Sequence, residues 1–163
     1  MKKYQVVILV IVVGMITYFW ASVFNQKIVY KQVEKEVILD NLKGKVNQLK
    51  GELVADIKQC ESGGASEDKA LITFDPHPTK KNVQIASLGN YQFKVSTVQY
   101  YYTKFYGKTI TNKEAVLIAL DDTQAGNLAS EVIFRDGALD NWYNCTKAHN
   151  SRAKLDVINS LLK

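Results

Sequence analysis

The first hydrophobic feature of the chain is a continuous run without a charged residue, Val6–Phe24. As a helix, a run of this length is about as long as the hydrocarbon core of a bilayer is thick. Lys2 and Lys3 precede it, and basic residues normally mark the cytoplasmic end. The pattern predicts a cytoplasmic N-terminus (1–5), a transmembrane anchor (6–24) and an exocytoplasmic remainder on the periplasmic or cell-wall side. The alternative is a cleaved signal peptide, although Ala21-Ser22-Val23 is a poor cleavage site.

Beyond the anchor, apolar residues recur every three or four positions within a charged sequence, at Leu39, Leu42, Val46, Leu49 and Leu53. This spacing predicts a helical stalk over 25–50, followed by one domain over 51–163. Gly51 weakens a helix by about 1 kcal/mol relative to alanine, so a hinge is expected there. The stripe fits either self-association as a short coiled coil or packing of a monomeric helix on its own domain.

The first helix of the predicted domain continues this apolar face through Ile57 and ends at Gly63-Gly64, because glycine commonly ends helices. Glu61 therefore falls in its last turn. Short alternating runs at Leu71–Phe74 and Val83–Ile85, separated by the turn sequence Asp75-Pro76-His77-Pro78, predict a small hairpin or irregular β-region.

After Gly89 the pattern returns to helices. The predicted segments are Thr97–Tyr106 behind a Ser96 cap, Asn112–Leu120 behind Thr111 with Glu114 in a capping box, a helix from Asp122 or Thr123 to Phe134, and a last helix over Ser151–Leu162. The fold class expected is α+β, mainly α, with one small β insertion after the first domain helix.

Charge and composition narrow the classes of function. The chain has 21 basic and 16 acidic residues, and no basic stripe with interleaved aromatic residues, so we expect no nucleic-acid partner. His77 and His149 lack the spaced partners of a zinc site, and Asp121–Gly126 lacks the ligand pattern of a calcium loop. We therefore expect no metal and no cofactor.

Cys60 and Cys145 are the two cysteines of the chain. An even count outside the cytoplasm favours a disulfide. If paired, they close a loop of about 85 residues and stabilise the fold by roughly 4 kcal/mol. A competing hypothesis is a cysteine peptidase that uses Cys60 with His77 or His149, which requires a free thiolate.

Glu61 is the strongest candidate for acid chemistry. The C-terminus of a helix carries partial negative charge, which disfavours a second negative charge and raises the pKa of a carboxyl group there. Burial in a cleft raises that pKa further, toward the range where a general acid is protonated at neutral pH.

Several short motifs occur together in one order. These are Cys60-Glu61-Ser62-Gly63-Gly64, Ser87-Leu88-Gly89-Asn90-Tyr91-Gln92-Phe93, the continuation to Val98, and Trp142-Tyr143-Asn144-Cys145. In this order, over about Leu53 to Ala148, the chain resembles the lysozyme-like superfamily, specifically soluble lytic transglycosylase domains and resuscitation-promoting factors. Val95 stands where these families have proline, and their Ala-Tyr-Asn-x-Gly motif is missing.

The resemblance implies a lysozyme-like domain of a bacterial cell envelope, in which the cysteine beside the catalytic glutamate pairs with the C-terminal one. Glu61 would cleave the bond between N-acetylmuramic acid and N-acetylglucosamine in peptidoglycan. Attack by the muramyl 6-hydroxyl gives a lytic transglycosylase, whereas attack by water gives a lysozyme and calls for a second carboxylate, for which Asp75 is the best candidate.

The substrate contacts expected are Ser62, Ser87, Gly89, Tyr91 and Gln92. The amide of Gln92 both donates to and accepts from sugar groups, and Tyr91 offers a ring for stacking. A non-catalytic glycan-binding or scaffold protein with the same cleft is the alternative function.

Overall fold

The computed structural model describes residues 3–63, 71–76, 79–81 and 84–163, with side chains from residue 13 onward. The chain divides into two compact units, residues 1–45 and 46–163. Most of the described residues are helical, and the strands among them form one small antiparallel sheet. The prediction of an α+β, mainly α fold is therefore confirmed.

The elements in chain order are α1 (Lys3–Ser62), β1 (Ile72–Pro76), β2 (Gln84–Leu88), β3 (Phe93–Lys94), α2 (Val95–Tyr106), α3 (Asn112–Leu120), α4 (Asp122–Phe134), a 3-10 turn (Leu139–Trp142), α5 (Tyr143–Ala148) and α6 (Ser151–Leu161).

No helix in the described part of the chain combines the length and the apolar content that crossing a membrane requires. The predicted anchor over 6–24 begins among residues 1–12, whose side chains lie outside the described part. The anchor therefore stays a prediction.

α1 is continuous through Gly51, so the expected hinge is wrong. The residues around this glycine explain the continuity, because Val46, Leu53 and Ile57 are all buried in the core of the second unit. Burial of such side chains stabilises by about 1.5 to 3 kcal/mol each, more than one helical glycine costs. The second unit consequently begins at Val46, within the predicted stalk.

The sheet has the order β1-β2-β3. β1 and β2 form the predicted hairpin, but Asp75 and Pro76, which were expected in its turn, belong to β1. Asp75 lies opposite Ile85, and Thr73 lies opposite Ser87. β3 was not predicted, because two residues are too short to show an alternating pattern. It pairs Lys94 with Ser87.

Two predicted helix ends follow local sequence signals, and one predicted helix start does not. Thr111 and Glu114 form the predicted capping box of α3, and Gly107 ends α2 in the left-handed conformation. α2 begins at Val95, however, and its N-cap is Lys94, so the Ser96 cap is wrong. The reason is that β3 runs directly into α2 and fixes the helix start two residues earlier.

The core of the second unit joins α1 to the C-terminal helices. Trp142 is buried and its ring packs edge-on against Phe93 at 5.5 Å between centroids. The fully buried large apolar side chains are Leu53, Ile57, Val98, Leu128, Val132, Ile133, Leu139 and Ile158. The last turns of α1, which carry Glu61, thus contribute buried side chains to the core of the unit.

Candidate active site

Glu61 lies in the last turn of α1, as predicted. The helix ends at Ser62, and Gly63 follows in the left-handed conformation with φ +60°. This conformation costs a residue with a side chain about 1 to 2 kcal/mol, so glycine favours an end at this point. The carboxyl group of Glu61 is thereby placed at the C-terminal end of the helix.

The pKa of Glu61 is raised from its ordinary value of 4.5, first by burial and second by the negative charge of Asp75. The side chain is half-buried. Among the described residues, no hydrogen bond or ion pair neutralises its carboxylate. Both effects favour the protonated acid, which is the form that a proton donor needs.

Asp75 is held on the sheet by Ser87. The Ser87 hydroxyl donates a hydrogen bond of 2.8 Å to Oδ2 of Asp75. Ser87 is buried, whereas Asp75 is exposed. A fixed carboxylate that faces solvent and acts on the charge of Glu61 is suited to orient a water molecule or to stabilise positive charge between the two groups.

Gln92 is fixed by a tight turn between β2 and β3. Its backbone has φ +52°, its Nε2 donates 2.8 Å to the Gly89 carbonyl, and its Oε1 accepts from the Thr73 hydroxyl. Thr73 was not predicted as a site residue. The signal was available, because alternation along a strand places residues 73 and 75 on the same face.

Close packing requires glycine at position 89. Its φ is +69°, and a Cβ there would lie 1.9 Å from the backbone oxygen of Ala119. Its amide donates 2.8 Å to the Leu71 carbonyl, which closes the base of the hairpin. The turn that holds Gln92 therefore rests directly on α3.

The structure places Tyr91 in the core, where its side chain is 4% exposed. Its carbonyl accepts a hydrogen bond of 2.9 Å from Nε1 of Trp142, and its hydroxyl lies beside Gly126. A ring enclosed in this way has no open face, so the expectation that Tyr91 stacks on a sugar is corrected. Ser62, which follows Glu61 and was also expected to contact the substrate, is buried as well.

A polar network that was not predicted from the sequence joins α1, the β2–β3 turn and α4. Asp122 at the start of α4 accepts 2.7 Å from Nζ of Lys58 on α1 and 2.9 Å from Nδ2 of Asn90 in the β2–β3 turn. Desolvation is the largest effect on Asp122 and opposes ionisation, but these bonds and the Lys58 charge hold its pKa below the usual range. The network ties the helix of Glu61 to the turn of Gln92.

The disulfide Cys60–Cys145 joins the last turn of α1 to α5, with 5.7 Å between the Cα atoms. Neither cysteine is free, so the cysteine peptidase hypothesis is wrong, because it requires a thiolate. His77 lies outside the described residues, and His149 is exposed. Within the described ranges, no group of three acidic, histidine or cysteine side chains is placed to hold a metal ion.

The structure thus links Glu61 to Asp75 through charge, Asp75 to Ser87 by a hydrogen bond, and Gln92 to Thr73 on the same strand as Asp75. Comparisons with protein-family models, with curated proteins and with solved structures give no match to this chain. The chemistry of the site therefore carries the functional argument.

Proposed function

We propose that this protein is a membrane-anchored peptidoglycan lytic transglycosylase with a lysozyme-like domain, which cleaves between N-acetylmuramic acid and N-acetylglucosamine and uses Glu61 as general acid and then general base. The observation that carries the proposal is the position of Glu61. Its half-buried carboxyl group at a helix end has a pKa raised by burial and by the negative charge of a second carboxylate, Asp75.

In the proposed reaction, the carboxyl group of Glu61 gives its proton to the glycosidic oxygen as the bond from that oxygen to C1 of the muramyl residue breaks. The muramyl ring then carries positive charge at C1. The carboxylate of Glu61 next removes the proton of the muramyl 6-hydroxyl while O6 bonds to C1. The products are a 1,6-anhydromuramyl end and a free 4-hydroxyl group, and Glu61 is again protonated.

Asp75, Ser87 and Gln92 support this reaction in distinct ways. The Asp75 carboxylate stabilises the positive charge at C1 and keeps the pKa of Glu61 high. Ser87 fixes Asp75 through its hydrogen bond. Gln92 is held at both ends of its amide and acts as a rigid contact for the N-acetyl and hydroxyl groups of the sugar.

A hydrolytic lysozyme is a second candidate, favoured by one observation. Asp75 is fixed, exposed and close enough to raise the pKa of Glu61, which is the arrangement that a water-activating carboxylate requires. A non-catalytic glycan-binding protein would use the same residues but would not need a raised pKa at Glu61. In all three cases an anchored domain acts only on nearby wall, so we propose a role in local envelope remodelling.

Mass spectrometry of the products released from purified peptidoglycan tests the proposal. The full chain in detergent micelles is compared with Glu61→Gln, which keeps the shape but cannot donate the proton, and with Asp75→Asn. Glu52→Gln, an exposed position on the same helix, is the matched control. We expect 1,6-anhydromuramyl products from the wild type and from the control, and none from Glu61→Gln.

Reducing-end products that disappear in Asp75→Asn would instead establish the lysozyme. Glycan binding without any product from the wild-type protein would establish the scaffold, and equal products from the wild type and Glu61→Gln would remove Glu61 from the mechanism.

A further inference from the structure

The first unit carries an apolar seam along α1, which consists of Ile16, Phe19, Val23, Gln26, Tyr30, Val33 and Val37. The described part of this unit is one helix, so no other element of the unit packs on these side chains. The large apolar ones at positions 16, 19, 30, 33 and 37 are between 51% and 75% exposed. A continuous line of exposed apolar groups, unlike scattered ones, indicates an interaction surface.

The seam has the spacing of a coiled coil. Its positions alternate by three and four residues without a break from Ile16 to Val37. They are the a and d positions of three successive heptads abcdefg. A repeat of 3.5 residues keeps such a seam in contact with a partner helix that has the same repeat. A second copy of this chain supplies a helix with that repeat.

This seam is distinct from the apolar stripe that begins at Leu39. The sequence left open whether that stripe associates with a second chain or packs on its own domain. The structure shows packing, because Val46 and Leu53 are buried in the core of the second unit. Val37 and Leu39 differ by about 200° around a helix, so the seam and the stripe begin on different faces. The stripe is covered by the fold, whereas the seam is exposed.

The residues of the seam favour two parallel helices. Ile16, Val23 and Val37 place β-branched side chains at a positions, which is the choice typical of parallel dimers. Gln26 is the one polar residue of the seam, at a d position. A single polar residue at a core position of a coiled coil fixes the register of the two helices.

The residues beside the seam agree with this arrangement. In a parallel pair, each g residue faces the e residue five positions later in the partner helix. These pairs are Ser22 with Lys27, Val29 with Glu34 and Glu36 with Asn41. None of them joins like charges. Asp40, at the next d position, would bring two carboxylates together, and like charges at close range repel each other. The contact therefore ends at Val37.

We propose that this protein is a parallel homodimer, joined by a two-stranded coiled coil along the seam from Ile16 to Val37. The last four seam positions lie beyond the predicted anchor, so an aqueous surface is covered there. Membrane helices commonly cross at about the same 20° angle as coiled coils, so the seam continues into the anchor without a change of geometry. The proposal does not depend on the reaction at Glu61, because no seam residue belongs to the second unit.

Cross-linking through an introduced cysteine maps the interface. Cys60 and Cys145, the two cysteines of the chain, are bonded to each other, so an introduced cysteine is the one free thiol. Val33→Cys and Val37→Cys are compared with Lys35→Cys, an exposed position on the other side of the helix. Mild oxidation of the full chain in detergent micelles should give about tenfold more covalent dimer from the seam variants, because a disulfide needs neighbouring Cβ atoms. The wild-type protein reports exchange of the native disulfide.

Sedimentation equilibrium of the full chain in density-matched micelles measures the dimer Kd. Val33→Lys should weaken association at least about tenfold, because both chains lose a covered valine and two ammonium groups meet. The matched control is Ile28→Lys, which is 53% exposed against 51% for Val33 but lies at an outer f position. Gln26→Leu should tighten association about tenfold, because a polar residue in the seam costs stability.

Val33 is exposed in the single chain, so lysine at this position leaves the fold of each protomer intact. A monomer at every protein concentration, equal cross-linking at positions 33, 35 and 37, or equal weakening by Val33→Lys and Ile28→Lys would overturn the proposal. A trimer or tetramer would overturn the two-stranded arrangement. A dimer that releases no product from peptidoglycan would support the coiled coil and overturn the proposed reaction alone.

Discussion

Replacing Gly89 by alanine would place a methyl group 1.9 Å from the backbone oxygen of Ala119. Heavy atoms at that separation overlap strongly, and the nearest atom belongs to the backbone of α3, which cannot rotate away. The turn between β2 and β3 must therefore move, and its carbonyl at Gly89 moves with it. That carbonyl accepts two hydrogen bonds from Gln92, one from its backbone N–H and one from its side-chain Nε2.

The magnitude follows from two contributions. A non-glycine residue in the left-handed region costs about 1 to 2 kcal/mol. The overlap with Ala119 adds the cost of overpacking, about 1 to 3 kcal/mol. We therefore expect Gly89→Ala to lower the free energy of unfolding by about 3 kcal/mol and to displace Gln92.

Gly137→Ala separates the two contributions. Gly137 has the same φ of +69°, but nothing lies within 4 Å of the Cβ position. This variant should lose only about 1 kcal/mol. Urea denaturation of the full chain, followed by the fluorescence of the buried Trp142, measures both variants. Equal losses in the two variants would refute the close approach of Gly89 to α3.

Three other expectations concern stability. Reduction of Cys60–Cys145, which are 85 residues apart, should lower the free energy of unfolding by about 4 kcal/mol. Denaturation with and without reductant measures this loss, and a loss below about 1 kcal/mol would contradict the loop-entropy argument. Because folding raises the pKa of Glu61, the folded state binds more protons than the unfolded state above pH 4.5, and wild-type stability falls as pH rises through the raised pKa. Glu61→Gln should therefore gain stability relative to wild type as pH rises above 4.5, and a pH-independent difference would argue against the raised pKa. Asp122→Asn should lower the free energy of unfolding by about 1 kcal/mol at neutral pH, whereas Asp121→Asn, which keeps a good N-cap residue, should leave it almost unchanged. Equal losses in the two variants would show that the bonds of Asp122 to Lys58 and Asn90 do not stabilise the fold.

Local sequence signals predicted those helix ends and the hairpin that depend on interactions between residues close together in the chain. Gly63 predicted the end of α1 and so the position of Glu61, because only glycine adopts the left-handed conformation without a steric cost. Thr111 and Glu114 predicted the start of α3, because both partners of a capping box lie within one turn. Alternation predicted the β1–β2 hairpin.

The same signals failed where distant segments compete. The hinge at Gly51 was expected from helix propensity alone, yet packing of Val46, Leu53 and Ile57 keeps α1 continuous. Ser96 was expected to cap α2, yet pairing of β3 with β2 fixes an earlier start. In each case a tertiary interaction outweighs a local preference of about 1 kcal/mol.

By itself, the sequence determined the fold class, the place of Glu61 at a helix end and the candidate partners on the strands. Only the tertiary structure decided that Asp75 acts on Glu61, that Tyr91 is a core residue, and that Asp122 joins Lys58 to Asn90. The physical reason is that a turn, a cap or a strand is set by neighbours along the chain. A carboxylate's pKa, a ring's burial and a polar network depend on residues tens of positions away, which only folding brings together.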